Sequence, residues 1–294
     1  MEECWRDDGL YNRERIMIAK RFQKLLENSR LFELQYTKLV ENNTIDNIVL
    51  DLLINYFVTY INYFDLSDEL VSDKHMAFLS EYKIHLREFE KTGKYPCQIK
   101  NYSSKERIDY DIPLLCSTFL SYHRYSIFET LYNKINVKDN ESVVVIGVGS
   151  GIELKMVNDK SKNIFAYDLE IGTFIKSAFP DVHFFEKHFS YEPKKTYDKI
   201  ILIELLEHLE NYKHLLFEVM KSLKPGGRIH FTTAVNIPQF DHLHNFELND
   251  SNLENCILNN GFEIEYKLDL PHNYKMNVVA YNCYYIIKKT NNDF

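Results

Sequence analysis

Apolar residues in roughly the first 137 positions recur at helical spacing, in Ile16–Leu26, Leu31–Val40, Ile45–Phe64, Met76–Phe89 and Leu114–Ile135. That period marks helices with one buried stripe, so this stretch predicts an all-helical region. Only Gly9, Gly93, Pro96 and Pro113 punctuate it, and a polar loop is expected at about Lys91–Asp111. Ile45–Phe64 is the most apolar run, yet Asn47, Asp51, Asn55 and Thr59 recur at every fourth position and draw a narrow polar line along it. A mostly buried helix carries such a line; a membrane-spanning one does not.

From Glu141 onward the period changes. Short β-branched runs appear at Ser142–Val148, Asn163–Leu169, Val182–Glu186, Tyr197–Glu204, Arg228–Ala234, Glu263–Leu270 and Val278–Lys288. Amphipathic helical segments fill gaps between them at Glu153–Asn158, Ile171–Ala178, Asn211–Leu223 and Ser251–Asn259. Alternating strands and helices predict a mostly parallel sheet covered on both faces. The last two strands are separated only by Pro271–Asn277, too short for a helical crossover, so they should pair antiparallel. The chain thus reads as a helical domain over 1–137 and an α/β domain over 138–294.

The densest chemical signal is Val143-Val144-Val145-Ile146-Gly147-Val148-Gly149-Ser150-Gly151. An apolar strand runs into a glycine turn that opens a helix, and such a turn lets backbone amides approach an anionic or polar ligand closely. The spacing is G-x-G-x-G, since position 152 is Ile, and this departs from the dinucleotide pattern. Asp168 ends the next predicted strand. There it can accept the two ribose hydroxyls of an adenosine, cap the following helix, or do both.

The order of these pieces, with the stretch "YDKIILIELLEHL", the turn "LKPGG" and the segment "HLHNFELNDSNLENCILNNGFEI", resembles the class I S-adenosylmethionine-dependent methyltransferases over about residues 141–289. The resemblance implies a Rossmann-like seven-stranded sheet with its last strand antiparallel. It implies S-adenosylmethionine as cofactor and S-adenosylhomocysteine as product. Gly147, Gly149 and Gly151 would line the methionine end, Asp168 the ribose, Leu169, Lys187 and His188 the adenine, and Ile203, Glu204 and Leu205 the sulfonium region. Two positions depart from the family: Val145 stands where an acidic residue is common, and Lys187 and His188 follow Glu186 where an acidic partner of the adenine amine is expected.

Methyl transfer from a sulfonium needs a base only when the acceptor is a neutral hydroxyl, amine or carbon acid. His208, His242 and His244 are the candidates, each with a plain alternative: His208 as a packing residue of a helix start, the other two as members of a polar loop. His123 and Arg124 are weaker candidates. Glu204, Glu207 and His208, with a later histidine, also resemble the metal site of small-RNA 2′-O-methyltransferases and of some quinone-pathway enzymes. Many metal-free relatives share those letters, so no metal is expected, and activity should survive EDTA.

The net charge of −8 argues against a nucleic-acid surface. The 21 Tyr and 20 Phe suit an apolar pocket, and a small-molecule acceptor in a biosynthetic reaction follows as the expectation. A metal-dependent RNA 2′-O-methyltransferase-like enzyme and a non-catalytic S-adenosylmethionine-binding protein are the alternatives. Cys4, Cys97, Cys116, Cys256 and Cys283 are scattered and odd in number, which fits reduced thiols in a cytoplasm. The acidic, polar start is unlike a signal peptide, no membrane partner is expected, and a homodimer is compatible. The helical region is expected to form a wall or lid of the acceptor site.

Overall fold

The computed structural model describes residues 7–95, 107–239, 241–272 and 279–290. Much of the predicted loop Lys91–Asp111 and of the link Pro271–Asn277 therefore lies outside the described residues, as do Cys4 and Cys97. Two compact units emerge: Met1–Phe78 with Ile108–Tyr125, and Leu79–Arg107 with Ser126–Phe294. Their division runs through two helices, so the compact units do not follow the change of sequence texture near residue 137.

The first unit is helical. It holds α1 (Asp7–Asn28), α2 (Arg30–Asn42), α3 (Asn47–Tyr63), the first part of α4 (Asp68–Thr92), α5 (Ile108–Leu120) and the first turn of α6 (Tyr122–Lys134). Asp46 starts α3 by accepting hydrogen bonds from the amides of Ile48 and Val49. The polar line read from the sequence holds: Asn47, Asp51 and Thr59 are exposed and Asn55 half-buried, while Val49, Leu53, Phe57 and Ile61 are fully buried. No described helix is long and apolar enough to cross a membrane.

The second unit is built on a seven-stranded sheet in the order β3-β2-β1-β4-β5-β7-β6. The strands are β1 (Val143–Ile146), β2 (Ile164–Asp168), β3 (His183–Glu186), β4 (Tyr197–Leu202), β5 (Leu223–Val235), β6 (Phe262–Pro271) and β7 (Tyr281–Lys289). β7 pairs antiparallel with β6, as the short link requires, and also with β5. Helices α7 (Ile152–Asn158), α8 (Thr173–Ala178), α9 (Tyr212–Lys221) and α10 (Ser251–Asn259) connect them. β1 is buried along its whole length, on both faces, which is why its sequence is an unbroken apolar run rather than an alternating one.

One strand begins earlier than its sequence suggests. Lys224-Pro225-Gly226-Gly227 reads as a turn before a strand at Arg228, yet β5 already pairs at Leu223 with Tyr197. The register slips between Tyr197 and Lys199, so the Pro-Gly-Gly segment bulges inside one strand. Gly227 is needed there, because a Cβ would lie 2.7 Å from the Asp198 carbonyl oxygen.

His230 on β5 is wholly buried, with Nδ1 2.9 Å from the Tyr284 hydroxyl. Burial, helped by the charges of Lys199 and Arg228, pushes its pKa from 6.5 down to about 3. The unfolded chain then takes up a proton that the folded one refuses, so stability is lost as pH falls from 6.5 towards 3. Urea unfolding at about pH 7 and about pH 5 should show the wild type losing about 2 kcal/mol more than His230→Gln. Equal losses would mean that the imidazole is not held neutral.

Candidate functional site

The strand order reverses between β1 and β4, and in open α/β sheets ligands bind beyond the carboxyl ends at such a point. The loop after β1 supplies three glycines with φ of +77°, +51° and +80° at 147, 149 and 151, values costly for other residues. A Cβ on Gly147 would come within 2.9 Å of Leu205 Cδ1, whereas one on Gly149 would meet nothing within 4 Å. Gly147 therefore brings the β1 and β4 loops together, while Gly149 leaves its side open.

Asp168 crosses to the same loop. Its Oδ2 accepts from the Gly149 amide at 3.0 Å, and its Oδ1 from the Leu169 amide at 2.7 Å. The carboxylate is half-buried, and Leu169 beside it is exposed. Lys187 and His188, after β3, are exposed, and Lys187 pairs with Glu192. Glu186 is committed to the Ile171 amide and to Lys176. The guanidinium of Arg107 donates to the Gly149 carbonyl oxygen at 3.2 Å. Sequence reasoning missed Arg107, since a single cation at the edge of a polar loop carries no periodic or motif signal.

After β4 the chain turns sharply. Ile203 is buried, and Glu204 adopts φ +50° with its amide donating to Thr232 Oγ1 at 2.7 Å. The Glu204 carboxylate accepts from Thr232 Oγ1 at 3.0 Å and from Asn282 Nδ2 at 2.7 Å. Thr232 and Asn282, on β5 and β7, thus hold the Glu204 carboxylate, an arrangement visible only once three strands are aligned. Next come Leu205 and a single 3₁₀ turn, Leu206–His208.

The backbone carbonyl of Glu207 accepts from the amides of Leu243 and His244 at 2.8 and 3.1 Å, pinning the segment after β5 to this turn. Two of the three candidate histidines come together as a result. The rings of His208 and His242 meet edge to face with centroids 4.8 Å apart, and Glu207, fully buried, lies with them. One ligand-type atom from each of Glu207, His208 and His242 lies within 4.8 Å of the others. His242 Nδ1 is 2.8 Å from the Ile237 carbonyl oxygen, and His208 Nδ1 is 3.1 Å from that of Asp241. Burial pushes the His242 pKa well down, and the neighbouring His208 adds to that. His244 stands apart, with Nε2 3.2 Å from the Glu210 carbonyl oxygen and its ring against Tyr212. His123 and Arg124 belong to the first unit, where His123 is buried with Nδ1 3.0 Å from Ser121 Oγ.

The later part of α4 belongs to the same unit as the sheet. Tyr82 and Leu86 pack with Ala234, Ile237 and Ala280. The Tyr95 hydroxyl donates to Asn245 Oδ1 at 2.8 Å and accepts from the Ile237 amide at 2.9 Å.

Residues 122–266 match the family model of a methyltransferase domain. A probable S-adenosylmethionine-dependent methyltransferase from Mycolicibacterium smegmatis is 24% identical over 142 residues, which are 44% of this chain and 55% of that protein. The chain thus spans about half the length of the curated relative it matches. Among solved structures, YcgJ of Bacillus subtilis superposes with a TM-score of 0.47 at 12% identity, covering 55% of this chain and 97% of its own. The 1,6-didemethyltoxoflavin N1-methyltransferase of Burkholderia thailandensis, solved with S-adenosylhomocysteine, gives 0.46 at 15% identity, covering 56% and 77%.

Replacing Thr232 with Val keeps the shape and removes both contacts to Glu204. Chemical denaturation should show a loss of about 1–3 kcal/mol, and amide exchange at 204 should accelerate. Unchanged stability and unchanged exchange would show that the Glu204 turn is held by other means.

Proposed function

We propose that this chain is a class I S-adenosylmethionine-dependent methyltransferase that methylates a small-molecule acceptor at the carboxyl ends of β4 and β5, a reading supported by the methyltransferase-domain match over residues 122–266. The observation that carries the reading is one juxtaposition. The glycine loop and Asp168 form a cradle for an adenosyl cofactor, and through Leu205 that cradle adjoins the turn bearing Glu207 and His208.

Gly147, Gly149 and Gly151 turn the backbone around the methionine end of the cofactor, and Arg107 brings a cation beside the same loop. Asp168, already oriented by the Gly149 and Leu169 amides, accepts the ribose hydroxyls. Leu169, Lys187 and His188 border the adenine, and Ile203, Glu204 and Leu205 border the sulfonium. The transfer is an in-line displacement with a neutral leaving group, so positioning and exclusion of water supply most of the rate. Activation of the acceptor falls to Glu207, His208 and His242. With each Nδ1 donating to a backbone carbonyl, the lone pair of each imidazole is at Nε2.

The upstream helical residues contribute a wall of the acceptor site through the last turns of α4 and Tyr95. Burial raises the Tyr95 pKa, so its hydroxyl stays neutral and keeps Asn245 and Ile237 in place. A small, partly aromatic acceptor suits this wall and the net charge of −8, which disfavours a nucleic acid.

Calorimetry should show S-adenosylhomocysteine binding to the full chain, weakened by about tenfold or more in Gly149→Val and Asp168→Ala. Binding of NADH in its place would overturn the cofactor reading. Mass spectrometry after incubation with S-adenosylmethionine and a pool of metabolites should reveal a product heavier by one CH₂ unit. Tyr95→Phe should lower kcat/KM for that acceptor while leaving cofactor affinity unchanged. A protein that binds the cofactor but yields no methylated metabolite, or that methylates RNA, would refute the small-molecule acceptor.

A further inference from the structure

We propose that Glu207, His208 and His242 bind one divalent cation of the borderline class, such as Zn²⁺ or Mn²⁺. Two imidazole nitrogens and one carboxylate oxygen make up the donor set, and their atoms already lie within 4.8 Å of one another. Donors sharing a cation at about 2.0–2.2 Å lie roughly 3–4 Å apart, so a closing shift on the order of 1 Å completes the site. Nitrogen donors favour Zn²⁺ or Mn²⁺ over Mg²⁺, which prefers oxygen ligands and water.

The surroundings of the two histidines point independently to a ligand. A metal-binding histidine usually donates its second ring N–H to a carbonyl or carboxylate, which fixes the tautomer and turns the other nitrogen to the metal. Both histidines do this: His242 Nδ1 to Ile237 O at 2.8 Å, and His208 Nδ1 to Asp241 O at 3.1 Å, with Asp241 Oδ2 at 3.4 Å. Two such locked imidazoles beside a fully buried carboxylate are more than packing of a loop requires.

The connections agree. The backbone pins Leu243 N and His244 N to Glu207 O, so the segment bearing His242 is held at the turn bearing His208. Glu204 is outside the site, since its carboxylate is engaged by Thr232 and Asn282. His244 is outside as well, bonded to the Glu210 carbonyl oxygen.

If the chain methylates an oxygen of its acceptor, which rests on the function proposed above, the cation would hold that oxygen and favour its deprotonated form. The binding itself does not rest on that reading.

The full chain, stripped with EDTA and dialysed, is titrated calorimetrically with ZnCl₂ and with MnCl₂, without cofactor or acceptor. About one cation per chain should bind, and the thermal midpoint should rise with it. His242→Ala and Glu207→Gln should each weaken binding by about tenfold or more, and His244→Ala should not. Circular dichroism reports whether each variant is folded; His208→Gln, at a half-buried position, replaces any that is not. No binding by the folded wild type, or undiminished binding in the folded ligand variants, overturns the site. Loss with His244→Ala in place of His242→Ala overturns this ligand set. Cofactor binding measured in parallel separates the two outcomes: a chain that binds S-adenosylhomocysteine but no cation keeps its methyltransferase reading and loses only this one.

Discussion

At the point where the loop after β1 meets the loop after β4, the Leu205 side chain packs directly against Gly147. A Cβ on residue 147 would press into Leu205, and the φ of +77° there already excludes most side chains on energetic grounds. This contact sets the two loops side by side. On one side the glycine turn and Asp168 share a hydrogen bond through the Gly149 amide. On the other, Leu205 leads directly into the turn that carries Glu207 and His208. A larger residue at 147 would have to displace the end of the Leu205 side chain and hold a left-handed backbone.

The second loop is held by polar contacts that converge from distant strands. Glu204 sits in a left-handed turn that loops seldom keep without support, and Thr232 on β5 and Asn282 on β7 supply that support. The antiparallel insertion of β7 beside β5 is what makes it geometrically available, since Thr232 pairs across to Tyr284 and Ala234 to Asn282. The backbone carbonyl of Glu207 then fastens the segment after β5. Strand order, bulge and turn thus set the positions of two imidazoles that are far apart in sequence.

What could be read from the sequence was local. Val143–Gly151 announces itself because a buried parallel strand is continuously apolar and its exit turn needs glycine. Asp168 follows because its strand ends in a carboxylate. The antiparallel pair at the end followed from the length of one link. The start of β5 at Leu223 was not legible, since Pro-Gly-Gly signals a break and only pairing with Tyr197 shows a bulge. Nor could His242 be separated from His244 by spacing alone: both lie in one irregular segment, and which turns inward depends on the Glu207 carbonyl and on Ile237. Arg107, Thr232 and Asn282 act through partners between 28 and 78 positions away in the chain, distances over which no periodicity speaks.

The helical sequence upstream illustrates a further limit of reading by texture. Its apolar period runs unchanged through α4, yet α4 is shared between two compact units. Up to Phe78 its residues group with the helical unit, and from Leu79 they group with the sheet, where Tyr82 and Leu86 cover Ala234, Ile237 and Ala280. Amphipathicity records that a face is buried and is silent about which surface buries it. Shortly after α4 comes Tyr95, whose hydroxyl ties together both ends of the segment containing His242. It bonds the Ile237 amide on one side and Asn245 on the other, and Asn245 returns to the Asn236 amide at 2.6 Å. A change at Tyr95 therefore reaches the segment bearing His242 through these hydrogen bonds without touching the glycine loop.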